Sequence, residues 1–345
     1  MNNSAHTISH TRSFRFNAEG NSLRLHAQTS LPSLGENQVL IQLAAYSLNY
    51  RDLLNMQDIN GRRADLIPLS DAAGTVVAVG KAVSNWQPGD RVSPNFFPAW
   101  HDGVFAPHHL ASALGGGQVD GVLAEHVVLD ADAIARIPAH LSFAQAACLP
   151  CAGVTAWHAL FERGQLQAGQ TVLVQGTGGV AMMALQLATA HGARVIVTSS
   201  SEEKLARARE LGAWHTINYR QTPDWDLQAM ALTEGRGVDH ILELGGAETY
   251  QKSISAVAFG GQIAQIGVLT GFNLAPNMLP LQFKNANVNG ICVGSVAHLR
   301  ALNQFMEQHQ ITPLIDKTFA FEDSAAAFEH LRSAAHMGKV VIQNS

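Results

Sequence analysis

Thr171-Val-Leu-Val-Gln175-Gly176-Thr177-Gly178-Gly179-Val180-Ala181 is the stretch whose reading decides the fold of this chain. Val172, Leu173 and Val174 have the length and character of a buried strand, and residues 180–191 continue as an apolar helix. Between them lie glycines, which let the backbone turn sharply and come close to a ligand. The start of the helix offers unpaired N–H groups and the positive end of its dipole, a combination suited to a pyrophosphate. A lone glycine motif is weak, but this one has a strand before it and a helix after it. The reading is a dinucleotide held at Gly176, Gly178, Gly179 and Val180, the alternative being a tight strand–helix turn without a ligand.

Outward from this turn, strands and helices alternate. Arg194-Val-Ile-Val-Thr198 reads as a second strand and residues 202–211 as a helix stopped by Gly212. Further strands are read at 216–218, 238–243, 262–266 and 288–293. This alternation predicts an α/β fold with a doubly wound parallel sheet. A unit of this kind that binds NAD places an acidic residue about 20 residues on, at the ribose 2′-hydroxyl. Here the second strand ends in Thr198-Ser199-Ser200-Ser201, with Lys204 one turn into the next helix. Hydroxyls and an ammonium suit a 2′-phosphate, which a carboxylate would repel. The expected cofactor is therefore NADPH, preferred over NAD, with Ser199, Ser200 and Lys204 at the phosphate. Tyr219 and Arg220, after the third strand, are further candidates; the alternative is that the serines only cap the helix. Ile266, Gly267, Val293, Gly294 and Ser295 follow later strands and should border the nicotinamide half.

The part before about residue 138 reads as short strands and turns: strands at 39–45 and 74–80, then the turn Pro88-Gly89-Asp90-Arg91-Val92. Residues 94–121 are irregular and include Gly115-Gly116-Gly117, a long segment of the kind that is often functional. Ser142-Phe-Ala-Gln145 resembles a capping box. The closing Lys339-Val-Val-Ile342 is read as a strand that rejoins the first domain.

Composition narrows the function. The 345 residues carry a net charge of −5 and 14% charged residues, against roughly 25% in an average chain. There is no basic stripe for nucleic acid and no charge run for an anionic membrane. The apolar stretch 171–190 is broken at Gln175–Gly179 and cannot span a membrane. The start, Met1-Asn2-Asn3-Ser4-Ala5-His6, lacks a secretory pattern, and three cysteines form no disulfide framework. The expectation is a cytoplasmic protein acting on a small-molecule substrate.

Asn49-Tyr50-Arg51-Asp52, the 74–80 strand, Pro88–Val92, Gly153-Val154-Thr155-Ala156-Trp157, the 176–180 turn and Gly338-Lys339-Val340-Val341 together resemble the medium-chain dehydrogenase/reductase superfamily over nearly the whole chain. The resemblance implies a mostly-β, GroES-like catalytic domain at residues 1–140 and 311–345. It implies a Rossmann domain at residues 141–310, a site in the cleft between them, and a homodimer or homotetramer. It implies Thr155 near the nicotinamide or its ribose, and Lys339 at the ribose or diphosphate. The zinc-ligand positions of metal-dependent members map to Asn49, Ser70 and Cys151, and one thiolate cannot hold a catalytic zinc that needs about three protein ligands. Residues 95–121 carry none of the four structural-zinc cysteines. The chain therefore resembles the zinc-independent, quinone-oxidoreductase-like branch, with no metal expected.

The remaining candidates have plainer readings. Cys148-Leu-Pro-Cys151 is expected to be a buried structural pair and Cys292 a core residue. His101, His108, His109 and His126 are expected at the surface or lining a cleft. Asp71 is expected to hydrogen-bond to backbone or to Arg51, with an Asp71–Arg51 or Asp52–Arg51 ion pair as a further guess.

Hydride delivered to an electron-poor carbon builds negative charge on an oxygen, which needs donors. Asn49 can offer its amide, Tyr50 its phenol and Arg51 its charge. An activated alkene conjugated to a carbonyl, or a quinone, needs less polarisation than a plain ketone. The expected activity is thus NADPH-dependent reduction of an enone or quinone. The alternatives are an NAD(P)-dependent alcohol dehydrogenase or carbonyl reductase, and an NADPH-binding protein with little turnover.

Overall fold

A computed structural model of the chain describes residues 8–17, 22–57, 61–271, 273 and 275–344. The N-terminal stretch read for a secretory pattern, residues 1–6, lies outside them. By their internal contacts the described residues form two compact units. One comprises the chain up to Cys151, Ser295–Glu307 and the part from Ile315 onward; the other comprises Ala152–Gly294 and Gln308–Leu314. Residues 141–151 and 295–307 group with the first unit, so the units are not divided at 140/141 and 310/311. The bonds within that unit say why: the Val296 N–H donates to the Trp100 carbonyl at 2.9 Å, and Asn303 Nδ2 to the Arg136 carbonyl at 2.9 Å.

In the first unit β1 (His10–Phe16) and β2 (Leu23–Ser30) form an antiparallel pair. They are followed by β3 (Gln38–Ser47), β4 (Asp71–Val79), β5 (Arg91–Pro94), β6 (His126–Asp130) and β7 (Ile134–Arg136). The second unit carries β8 (Thr171–Gln175), β9 (Arg194–Ser199), β10 (His215–Asn218), β11 (Val238–Glu243), β12 (Val257–Gln265) and β13 (Asn287–Gly290). Strands β14 (Ile315–Ala320) and β15 (Lys339–Gln343) belong to the first unit again. Its larger sheet runs β14-β15-β3-β4-β5-β7, with β6 also paired to β3. β15 lies antiparallel to β3, Val341 opposite Ser47, so the last strand does rejoin the first domain. Phe321 anchors the core there, its ring 5.1 Å from Phe14 and 5.7 Å from Tyr46.

The second unit has one sheet in the order β10-β9-β8-β11-β12-β13, every pairing parallel. Numbered by appearance this is 3-2-1-4-5-6, the doubly wound order whose two halves meet between β8 and β11. Each residue of β8 is buried, as a central parallel strand covered on both faces requires. The helix Gly179–Ala190 buries Met182, Met183, Leu185 and Leu187. The Ser142 capping box is present: Ser142 Oγ accepts from the Gln145 N–H, and Gln145 Oε1 accepts from the Ser142 N–H.

Two readings need correction. β12 begins at Val257, five residues before the expected start, and β13 ends at Gly290 rather than 293. Cys292 is exposed and not a core residue. The apolar run Ile291-Cys292-Val293 looks like strand, but among the described residues β13 is an edge strand with a partner on one side only, and Val293 adopts φ 52°, which is not extended. Among the described residues no helix is long and apolar enough to cross a membrane.

His240, on β11, is 4% exposed and bonds through Nε2 to Gln170 Oε1 at 2.9 Å. Burial lowers its pKa from 6.5 to about 4, with Asp239 opposing the shift. A histidine whose pKa is depressed by folding takes up its proton more readily when unfolded. Stability is therefore lost as pH falls from about 6.5 to about 4, by roughly 3 kcal/mol over that window. Denaturant unfolding at pH 7 and pH 4 should show wild type losing that much more than His240→Gln. Equal losses would mean His240 does not titrate in this way.

Candidate functional site

In a parallel sheet all strand carboxyl ends share one edge, and ligands bind outside it at the point where the strand order reverses. The glycine turn after β8 sits at that point. Gly176 has φ 75°, and its N–H donates to the Thr198 carbonyl at 2.8 Å. Gly178, the N-cap of the Gly179–Ala190 helix, has φ −75° and ψ −173°. A Cβ at Gly178 would meet nothing within 4 Å. The fold thus leaves open space directly over the helix N-terminus, where Gly179 and Val180 begin the first turn.

On one side of the turn, β9 ends at Ser199, which is 5% exposed. Ser199 Oγ accepts the Ser201 N–H at 3.3 Å, and Ser201 Oγ accepts the Lys204 N–H at 3.3 Å. Both serines therefore serve as local caps. Each bond uses a hydroxyl lone pair and leaves the O–H hydrogen to donate, so capping and phosphate binding are compatible. Ser200 and Lys204 are half-buried beside them, and the exposed Tyr219 follows, its N–H bonded to the Ser199 carbonyl. Two carboxylates, Glu202 and the exposed Glu203, open the helix that follows, and Glu202 accepts from Asn218 Nδ2 at 2.6 Å.

On the other side, the Ile266 and Gly267 N–H groups both donate to the Glu243 carbonyl at 3.0 Å. A Cβ at Gly267 would lie 2.0 Å from the Leu244 carbonyl, so only glycine fits. Val293 holds φ 52°, unusual for a β-branched residue, and its carbonyl accepts from His158 Nδ1 at 2.7 Å. Gly294 follows it in chain, and Thr155 is buried in the helical segment just before His158. From β9 to β13 is four strand spacings, about 19 Å.

Sequence reading missed the groups that fix the reversal point. Gln175 Nε2 donates to Glu243 Oε2 at 2.7 Å, and Gln175 Oε1 accepts the Leu244 and Gly245 N–H groups at 3.0 and 2.9 Å. Glu243 Oε1 accepts the Gly245 and Gly246 N–H groups, and Thr249 and Ser253 donate to the same carboxylate. A fully buried acid is thus satisfied by its neighbours and ties the loop after β11 to β8. Only the polar residues closing two apolar strands hinted at it.

The expected catalytic residues lie in the first unit, at the start of the helix Tyr50–Met56. Asn49 caps it, with Asp52 Oδ2 accepting the Asn49 N–H at 2.7 Å. Lys339 Nζ, 4% exposed, donates to the Leu48 carbonyl and to Asn49 Oδ1, both at 2.6 Å. It lies 3.9 Å from Asp71 Oδ2. Asp71 also accepts from Ser70 Oγ at 2.7 Å and from the Cys151 N–H at 3.1 Å. Asp71 therefore bonds to backbone as expected, and its cationic neighbour is Lys339; of the two ion pairs expected for Arg51, the structure holds the one with Asp52, at 3.8 Å. The Arg51 guanidinium stacks 4.2 Å from the Phe96 ring centre and donates to the Leu114 carbonyl at 2.6 Å, which fixes the irregular segment. Tyr50 is exposed. Of the three, Asn49 alone enters the buried polar cluster. Burial raises Asp52 to about 6, with Arg51 the main opposing charge, and raises Asp71 against the pull of Lys339.

Cys148 is buried and its thiol is pushed up to about 12 by that burial; Cys151 is half-buried, its pKa also raised by burial. His109 stacks on Trp100, ring centres 5.9 Å apart, in the 94–121 segment. Among the described residues no three His, Cys, Asp or Glu side chains gather in a way that could hold a metal ion.

Two family descriptions match the chain: alcohol dehydrogenase GroES-like domain over residues 35–139, and zinc-binding dehydrogenase over residues 179–308. A zinc-type alcohol dehydrogenase-like protein of Schizosaccharomyces pombe is 44% identical over 318 residues, covering 90% of this chain and 92% of the relative. A 2-methylene-furan-3-one reductase of Solanum lycopersicum is 30% identical over 331 residues, covering 93% and 75%. A crystal structure of a candidate alcohol dehydrogenase from Sinorhizobium meliloti superposes with a TM-score of 0.91 at 42% identity, covering 98% and 99%.

The word zinc in these descriptions does not fit the three ligand positions here. The Asn49 amide oxygen is taken by an ammonium, the Ser70 hydroxyl donates to Asp71, and Cys151 is the single thiol. What the chain shares with these proteins is a GroES-like unit followed by a Rossmann unit, over 90% or more of this chain. The chain belongs to the medium-chain dehydrogenase/reductase superfamily and is an oxidoreductase of that type.

Proposed function

We propose that the protein is an NADPH-dependent reductase that passes hydride, without zinc, to an alkene activated by a carbonyl or to a quinone. The observation that carries this is the reversal point of the sheet. An open glycine turn there is flanked by Ser199, Ser200 and Lys204, with no carboxylate ending β9. Gly176, Gly178, Gly179 and Val180 would hold the diphosphate; Ser199, Ser200, Lys204 and Tyr219 the 2′-phosphate end. Ile266, Gly267, Val293, Gly294, Ser295 and Thr155 would border the nicotinamide. NADPH, when bound, supplies the hydride. The chain supplies donors: Asn49 Nδ2 to the oxygen that gains charge, and the Tyr50 phenol beside it. Arg51 keeps a positive charge nearby while holding the Leu114 loop. The tomato relative's name, a reductase of a conjugated enone, agrees with this substrate class.

Ser199→Asp should raise the NADPH dissociation constant at least about tenfold and shift preference to NADH, because a carboxylate repels the 2′-phosphate and accepts from a ribose hydroxyl. Fluorescence titration with both coenzymes checks it; an unchanged ratio would remove Ser199 from the 2′-phosphate site. The reading itself is tested by NADPH oxidation against quinones, enones, aldehydes and ketones. Turnover of enones or quinones sustains it. Turnover confined to plain aldehydes and ketones would favour an alcohol dehydrogenase or carbonyl reductase. Tight coenzyme binding with no turnover would favour a binding protein.

The same reading takes the protein as a homodimer or homotetramer of the cytoplasm. Support comes from the outer edge of β13, unpaired among the described residues, and from the exposed Leu279 and Phe283 just before it. Sedimentation would give the state.

A further inference from the structure

We infer that Lys339 is a positioning residue: its ammonium fixes the Asn49 side-chain amide in one orientation, so that Nδ2 is the atom presented to substrate. The inference rests on the role proposed for Asn49 and adds the device that aims it. An asparagine amide is nearly symmetric in shape, and a half-turn exchanges its donor and acceptor ends. A lone asparagine at a reaction site could therefore present either end. An ammonium only donates, so at 2.6 Å it donates to Oδ1 and cannot pair with the NH2 end.

Lys339 is itself held still. It is 4% exposed, bonded to the Leu48 carbonyl and 3.9 Å from Asp71, and it stands on β15, which is registered against β3. The Asn49 backbone is held by Asp52. With both ends of the arrangement fixed, Nδ2 makes no hydrogen bond within 3.5 Å in a residue 9% exposed, and the acceptor it faces at longer range is the Asp71 carboxylate, whose charged form it favours. A buried donor left open calls for an acceptor, and an oxygen gaining negative charge is the strongest available. Lys339 also puts a fixed positive charge beside Asn49, Ser70 and Cys151, the positions that carry zinc in the metal-dependent relatives. This role differs from a contact with the coenzyme ribose or diphosphate, which the resemblance had implied for Lys339.

The test is a double-mutant cycle on turnover with Lys339→Met, Asn49→Ala and the pair, each checked for folding by circular dichroism, with Lys339→Gln standing in if Lys339→Met does not fold. The expected result is a loss of about 10- to 100-fold in kcat for Lys339→Met, with NADPH affinity within about threefold. The double variant should match Asn49→Ala within about twofold, since Lys339 acts through Asn49. Multiplying losses would overturn the inference, as would a loss of NADPH affinity larger than the loss of kcat.

A second readout does not depend on turnover. In side-chain amide NMR spectra the Asn49 signals should shift or broaden in Lys339→Met. The Asn55 amide, bonded to the Gly115 carbonyl, should not. If no acceptor is turned over and the Asn49 signals respond, the positioning stands and the reductase reading fails. If they do not respond, the positioning fails whatever the activity.

Discussion

Gly178→Val should fold almost as wild type does and lose at least about 100-fold in NADPH affinity. The two halves of this expectation have separate causes. Gly178 lies at φ −75° and ψ −173°, a conformation any residue adopts, and a Cβ there meets nothing within 4 Å. Valine is a poorer N-cap than glycine, a cost below about 1 kcal/mol, and in a chain this long that moves the melting temperature by at most about 4 °C. Gly176 is different: its φ of 75° is left-handed, and a side chain there costs about 1 kcal/mol or more whether or not a ligand exists. The fold asks for glycine at 176 and not at 178. What asks for glycine at 178 is a group lying against the backbone over the helix N-terminus, and valine would occupy that place. Coenzyme titration beside a melting curve separates the causes. Wild-type affinity in Gly178→Val would mean that no dinucleotide lies over this turn, and the proposed function would go with it.

How far the sequence could be read depended on the range of the interactions concerned. β8, β9 and β11 were legible because central parallel strands are buried on both faces, and their apolar runs owe nothing to distant partners. The Ser142 box spans three residues and was equally plain. The β1–β2 pair was missed because its strands carry His10, Arg12, Arg15, Arg24 and His26 among their residues and show no clean alternation. The turn His158–Glu162, wider than an α-helical turn, leaves no mark in periodicity, yet it places His158 on the Val293 carbonyl. Cys292 was misplaced because composition does not say where an edge strand stops. The polar cluster was legible only in its parts. Asn49 and Asp71 stood out, but the residue joining them is Lys339, 290 positions from Asn49, and only the pairing of β15 with β3 brings it there.

Asn49→Ala should lower kcat about 100-fold or more and leave NADPH affinity within about threefold. Removing a single aimed donor from a developing oxyanion costs roughly 3 kcal/mol in barrier height, and two orders of magnitude in rate correspond to that. Coenzyme affinity should stay because the residues proposed to hold its phosphates all lie in the other unit. Stability must be watched, since the Asn49 side chain accepts from the buried Lys339 ammonium. Loss of that hydrogen bond to a charged group costs about 2 kcal/mol, several degrees of melting temperature, so rates are to be measured well below the transition. Tyr50→Phe is the informative companion. Its ring is 42% exposed, so a water molecule can stand in for a lost phenol, and its loss of kcat should be the smaller. A variant that lost affinity and turnover equally would show Asn49 shaping the binding of coenzyme or substrate alike, and the donor role would be gone. A loss confined to kcat, larger for Asn49→Ala than for Tyr50→Phe, would put the charge-stabilising donor where the structure leaves Nδ2 open.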